Sequence, residues 1–325
     1  MTAELALPGL PSGLTAVDQE RVADALASSR SASTRLAYAS AWRGWETWCS
    51  ARGASPLPAV PKLLAAYLTE QAATGRAVST MDKTVAAIRA AHLDAGHDDP
   101  TGNRGVVRVR AGLRRTVGVA PRRQAHPIST EEVRRIVAAI DPASLRGKRD
   151  RAMILLGYAA ALRRSELVDL LVRDVAMKPA GLVVHVRRSK ADQDQAGQVV
   201  GVTRGQHPET DPVTAVHTWI SAARLTPGDP LFSLVARSDL RAVPRRLEGK
   251  QVNRILASRA ADAGLADLRL SGHSLRAGHA TTAAEHGVPA DRLARTTRHR
   301  NLATLAKYIR PAEVLADTSS GSLGL

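Results

Sequence analysis

Five short segments of this chain hold residues whose types can do chemistry: ALRRSELVDL (161–170), RRSK (187–190), SGHSLRAG (271–278), TTRHRN (296–301) and KYIR (307–310). Arg163 and Arg276 offer guanidinium forks that match anionic oxygens and never lose their charge. Lys190, His273 and His299 can exchange protons. Tyr308 becomes a nucleophile once its hydroxyl, with an unperturbed pKa of about 10, gives up its own proton. Such a set suits attack on an anionic, phosphate-like centre. Each member alone has a blander reading. Arg163 and Glu166, three apart on one helix face, read as an ion pair. Lys190 reads as a solvated hairpin end, His299 as a hydrogen-bonded core histidine and Tyr308 as a packing residue. Order and spacing make them a set: Arg163, Lys190 at a strand end, the H-x-x-R of His273 and Arg276, His299 23 residues later, and Tyr308 nine further on.

The elements that must position these groups follow from the apolar pattern. STRLAYASAWRGWETWCSARG puts Tyr38, Trp42, Trp45 and Trp48 at steps of four and three, a helix stripe that reads as core, with Gly53 as its stop. PKLLAAYLTEQAATG and STMDKTVAAIRAAHLDAG read as two more helices, each ended by glycine. Residues 1–15 are Pro- and Gly-rich and read as loose. An all-helical domain is expected over 16–115, then a basic linker over 116–127. Residues 101–130 hold seven arginines and no acid, a composition able to lie on a phosphate backbone. Ser129 and Glu132 form a capping box that opens a second domain, 128–310, ahead of Val133, Ile136 and Val137. KRDRAMILLGYAAAL reads as a buried helix. GLVVHVRRSK alternates Leu182, Val184 and Val186, and QVVGVTRG follows, so the two predict a hairpin. Asp211 and Pro212 are an N-cap and first-turn proline for the helix of Val216, Trp219 and Ile220. A tail, 311–325, remains. The expected fold class is mainly α: a helical N-terminal domain plus an α-rich domain with one small antiparallel sheet.

Charge and composition narrow the partners. The 325 residues include 46 Lys and Arg against 30 Asp and Glu, a net charge of +16. An excess of that size points to a polyanion, most commonly nucleic acid. The one cysteine, Cys49, excludes a disulfide framework and a cysteine zinc cluster, and reads as a small buried apolar residue. No apolar run approaches the ~20 residues of a membrane span, and the first residues lack a secretion signal's pattern. A soluble, intracellular protein in a reducing compartment is expected. No phosphate-binding glycine loop, H-E-x-x-H or clustered carboxylates occur, so no cofactor and no metal are expected.

In the order of its motifs, and most closely in SGHSLRAG and KYIR, the chain resembles the tyrosine recombinase, or phage integrase, family, especially its Cre-like members. The motifs span 161–310, and the helical first part, opening with STRLAY, is similar to the family's core-binding domain. The resemblance implies a site-specific recombinase that cleaves and rejoins DNA through a 3′-phosphotyrosyl intermediate, without metal or ATP. It implies Tyr308 as nucleophile and Arg163 and Arg276 as stabilisers of the phosphate oxygens. His273 would be the general base and Lys190 the general acid. His299 would complete the cradle, and Glu166 would orient Arg163 or His273. Two positions depart from the family pattern: Ala161 and Arg298 stand where glycine is usual. Arg298 is expected to add charge near the scissile phosphate.

By the same resemblance the partner is double-stranded DNA carrying a specific site, held by both domains, with self-association to a tetramer aided by the tail. Arg43, Lys83 and Arg89 lie off the apolar stripes of the first domain and are candidate DNA contacts. Arg241, Arg245, Lys250, Gln251 and Asn253 are candidates in the second, the last three at a helix start. Two other readings fit the same chemistry or charge: a type IB topoisomerase-like relaxing enzyme, and a catalytically silent DNA-binding protein.

Overall fold

The computed structural model describes residues 15–120, 125–187, 197–298 and 305–306. The chain forms two compact units, residues 1–124 and 125–325. Lys190, His299, Tyr308 and the tail lie outside the described residues.

The first unit is helical: α1 (Ala16–Ser28), α2 (Ala32–Ser50), α3 (Pro61–Ala73), α4 (Val78–Asp94) and α5 (Arg104–Val117). Ser31 caps α2 by accepting the Thr34 N–H at 3.2 Å, and Gly53 follows in a left-handed conformation, φ 61°. Trp45 and Trp48 stack with ring centroids 5.5 Å apart, and both are buried with Tyr67 of α3 and Ile88 of α4. Their indole N–H groups donate to Pro56 O and the Glu70 carboxylate, each at 2.9 Å, so the core leaves neither unsatisfied. Trp42 packs at the edge, and Tyr38 is half-covered beside Arg30. Cys49 is fully buried. Five of the seven clustered arginines fall within α5. Two of them, Arg110 and Arg114, share Asp82 of α4 at 3.1 and 2.9 Å.

The second unit runs α6 (Thr130–Ala138), α7 (Leu145–Ala159), α8 (Arg164–Asp169), β1 (Val175–Lys178), β2 (Gly181–Val186), β3 (Gln198–Thr203), α9 (Pro212–Ala223), β4 (Ser233–Val235), β5 (Ala242–Arg246), α10 (Gly249–Asp262), α11 (Gly272–Glu285) and α12 (Ala290–Thr297). The Ser129–Glu132 capping box forms as its spacing predicts, and Asp211 caps α9 through the Val213 and Thr214 N–H groups. Strands β2 and β3 pair antiparallel, with Leu182 opposite Val202 and Val184 opposite Val200. These four side chains face the core. β1 adds to the far edge of β2. A second, two-stranded sheet, β4–β5, also forms, where the pattern predicted one sheet. Its β5 sequence, AVPRR, holds a proline and two arginines and leaves little apolar alternation to read.

Helix α7 lies at the centre, packed against α9 and α11. Met153, Ile154 and Leu156 from α7, Trp219 from α9 and Phe232 ahead of β4 are fully buried there. Trp219 donates its indole N–H to Leu231 O at 2.6 Å. Gly278 lets α11 approach closely: a Cβ there would stand 1.9 Å from Ile128 O. That contact seats the helix carrying His273 and Arg276 against the strut before α6. No helix among the described residues is long and apolar enough to cross a membrane.

Candidate active site

The loop from α7 to α8 places the first arginine. Ala160 ends α7, and Ala161 turns the chain in a left-handed conformation, φ 47°. The turn is closed by Ala161 N–H to Tyr158 O and Leu162 N–H to Gly157 O, both 3.1 Å. Leu162 drops into the core, so Arg163 emerges as the residue capping α8. Glu166, one turn on, accepts the Arg163 backbone N–H at 2.8 Å and its Nη1 at 2.6 Å. The Glu166 side chain is wholly buried, and the Arg163 side chain keeps about a fifth of its surface. The pair is therefore a built support, unlike the surface pair its spacing alone suggests.

Arg276 comes from the second turn of α11 and is nearly inaccessible, at 2 %. Its Nη1 donates to Ala161 O at 2.8 Å and its Nη2 to Thr297 O. Arg163 Nη2 donates to Arg298 O at 3.3 Å. Two arginines distant in sequence thus meet on neighbouring carbonyls at the end of α12, immediately before His299. His273, one turn before Arg276 on α11, is exposed. Partial desolvation lowers its pKa, and the charges of Arg276 and Arg163 lower it further. Its ring is consequently neutral near pH 7, the form that can accept a proton.

Arg298 occupies the end of α12, also left-handed at φ 55°. Both positions where the family usually carries glycine thus have the backbone that glycine favours. The Arg298 side chain turns inward, 2 % exposed, and donates to Glu166 Oε2 at 2.7 Å. Burial would raise the Glu166 carboxyl. Arg298, then the Arg163 N–H and guanidinium, hold it below its ordinary value. The charge expected near the phosphate is therefore buried against a carboxylate. No pattern in the sequence revealed that pairing, although glycine's replacement at this position marked the residue as unusual.

Beside Glu166 opens a cleft of about 490 Å³, walled by Asp169, Asp174, His185, Arg187 and Arg246. Arg187 pairs with Asp174 and Arg246 with Asp169, both at 2.8 Å. Arg187 ends the described part of the hairpin whose connection carries Lys190. Leu305, three positions before Tyr308, is fully buried in a small cluster with Ala280 and Leu293. The chain thus returns to α11 and α12 just ahead of the tyrosine. Among the described residues no three His, Cys, Asp or Glu side chains gather as a cation site requires.

A family model described as the phage integrase family matches residues 127–314, which span all six of the residues singled out above. The chain belongs to the phage integrase family. It is a tyrosine-type site-specific recombinase. An integrase/recombinase XerD homolog of Selenomonas ruminantium is 32% identical over 298 residues, covering 90% of this chain and 86% of the relative. The recombinase Cre of Escherichia phage P1 is 25% identical over 285 residues, covering 82% and 81%. Among solved structures, XerH recombinase in a post-cleavage complex with a palindromic difH substrate has a TM-score of 0.59 at 15% identity, covering 82% of this chain and 72% of that one. A lambda integrase dimer bound to a COC′ core site has a TM-score of 0.55 at 17% identity, covering 89% and 75%. These structures share the fold of this integrase-family chain.

The candidate DNA contacts of this recombinase divide into two kinds. Arg43, Lys83, Arg241, Arg245 and Lys250 are exposed. Arg89 is exposed but pairs with Asp99 at 3.1 Å. Gln251 caps α10 by accepting the Glu248 N–H at 2.7 Å, and Asn253 Oδ1 accepts the Gly272 N–H at 3.0 Å. Those two side-chain oxygens are already used in holding the fold, and Asn253 fixes the start of the helix that carries His273.

Proposed function

We propose that Tyr308 Oη attacks a scissile DNA phosphate, forming a Tyr308 O–P bond as the P–O5′ bond breaks. The observation that carries this reading is the convergence of Arg163 and Arg276 on one turn beside a neutral His273. Two fixed guanidinium groups there stabilise charge on the non-bridging oxygens without reorganising. His273 takes the phenolic proton, and Lys190 supplies a proton to the departing 5′ oxygen, a task for an amine rather than a guanidinium. His299 completes the phosphate cradle and positions Tyr308. The product is a 3′-phosphotyrosyl link and a free 5′ hydroxyl. The link conserves the bond energy, so the 5′ hydroxyl of another strand reverses the step without ATP.

Both units contact the duplex, the helical one through exposed cations such as Arg43 and Lys83. Exchange between two duplexes needs four cleaving protomers, so the working assembly is a tetramer on paired sites, with residues 311–325 docking on a neighbour. The enzyme acts at the nucleoid or on mobile DNA.

The test begins by selecting the bound sequence from a random or genomic DNA pool. Two differently labelled duplexes carrying it are then mixed with the protein in EDTA. Hybrid products are expected. Relaxation of unrelated supercoiled plasmid without hybrids would favour a topoisomerase, and loss of all cleavage in EDTA would contradict the arginine mechanism.

A further inference from the structure

We infer that Arg298 is a positioning residue for strand cleavage, its buried guanidinium fixing the α7–α8 turn that carries Arg163 and to which Arg276 is bonded. The inference rests on the reaction proposed above and adds a residue to it.

Arg298 holds four acceptors at once. Its Nη2 donates to Glu166 Oε2 at 2.7 Å and to Ala161 O at 3.0 Å. Its Nη1 donates to Ala160 O at 3.2 Å and Thr296 O at 2.9 Å. Ala161 O also accepts Arg276 Nη1 at 2.8 Å, so one carbonyl, with two lone pairs, ties both guanidinium groups to the α7–α8 turn. Glu166 is shared in the same way. One oxygen meets Arg163 at 2.6 Å and the other meets Arg298. The ring closes through the Arg298 backbone, whose carbonyl accepts Arg163 Nη2 at 3.3 Å.

Two consequences follow for the chemistry. A single carboxylate set against two arginines leaves Arg163 with positive charge to spend on a phosphate. Facing Arg163 alone, Glu166 would neutralise it. The left-handed turn at Ala161 is also pinned from the inside, which sets the direction in which Arg163 leaves the loop. Arg298 itself occupies a left-handed backbone conformation that disfavours a side-chain-bearing residue, and its four side-chain bonds offset that. Its two terminal nitrogens make four donations inside the fold, so it acts through its neighbours.

The experiment measures single-turnover cleavage of a nicked cognate duplex at saturating protein, with DNA affinity and thermal melting measured alongside. Arg298→Met is expected to cut the rate constant about 100-fold, as misplacement of catalytic groups does, with DNA affinity unchanged. Adding Glu166→Gln removes the carboxylate that would then neutralise Arg163 alone and is expected to restore about tenfold of the loss. Arg298→Lys keeps a cation for Glu166 but not the fork. It is expected to slow cleavage about tenfold while folding normally, which serves if the methionine variant does not fold. Wild-type cleavage by the folded fraction of either variant would overturn the inference and leave the reaction standing. A slow methionine variant that Glu166→Gln fails to improve would also overturn it, reducing Arg298 to a staple. A wild-type chain that forms no covalent product would instead sink the proposed reaction.

Discussion

Three guanidinium groups and one carboxylate meet within a few ångströms in this protein, and a half-buried histidine lies one turn beyond them. His279 packs edge-on against Tyr158, ring centroids 6.2 Å apart. Burial pushes its pKa down to about 4, and Arg276 and Arg298 push in the same direction. In the unfolded chain an imidazole titrates near 6.5. Between those values the unfolded state binds a proton that the folded state refuses, so stability rises with pH there. The His279 contribution is complete above about pH 6.5 and is lost as pH falls toward 4, with a span of about 3 kcal/mol. Urea unfolding midpoints at pH 7, 6 and 5 measure it. His279→Gln, which cannot titrate, is expected to flatten the decline, and parallel slopes for variant and wild type would refute the assignment. The same low pKa keeps a third positive charge from accumulating beside Arg276 and Arg298 at neutral pH.

At the scale of elements, α11 is the part on which the site depends most directly. It carries His273, Arg276 and His279, and Gly278 allows it to touch the segment before α6. Gly278→Ala drives a methyl into Ile128 O, and overpacking of that kind costs about 1–3 kcal/mol. The variant is expected to unfold at lower urea concentration and to cleave DNA more slowly, because α11 must shift to fold at all. An unchanged midpoint would show that the approach is not tight. Elements with local signals were legible in the sequence: Ser129 with Glu132, Asp211 with Pro212, and the alternation of Leu182, Val184 and Val186. The second sheet was not, because β5 is an arginine-rich edge strand with a proline. The support of the site was half legible. The three-residue step from Arg163 to Glu166 is written in one helix, whereas the partnership of Glu166 with Arg298 joins residues that only the fold brings together.

For the whole molecule, a net charge of +16 and a helical unit followed in sequence by an α-rich one fit a protein that holds a polyanion while a compact site acts on it. Family membership follows from the match over residues 127–314. The order of the six residues supplied the functional reading before any geometry did, since order survives where single motifs are ambiguous. The target DNA leaves no such trace: exposed cations such as Lys83 and Arg245 serve any phosphate backbone equally, and base readout depends on contacts that form in the complex. Tyr308 is expected to become covalently joined to DNA. The most direct test is incubation with a nicked cognate duplex, followed by proteolysis and mass spectrometry of the DNA-linked peptide. A 3′-phosphate adduct is expected on the peptide containing Tyr308, absent from Tyr308→Phe protein that still binds the site. An adduct on another residue, or one that persists in Tyr308→Phe, would contradict Tyr308 as the nucleophile.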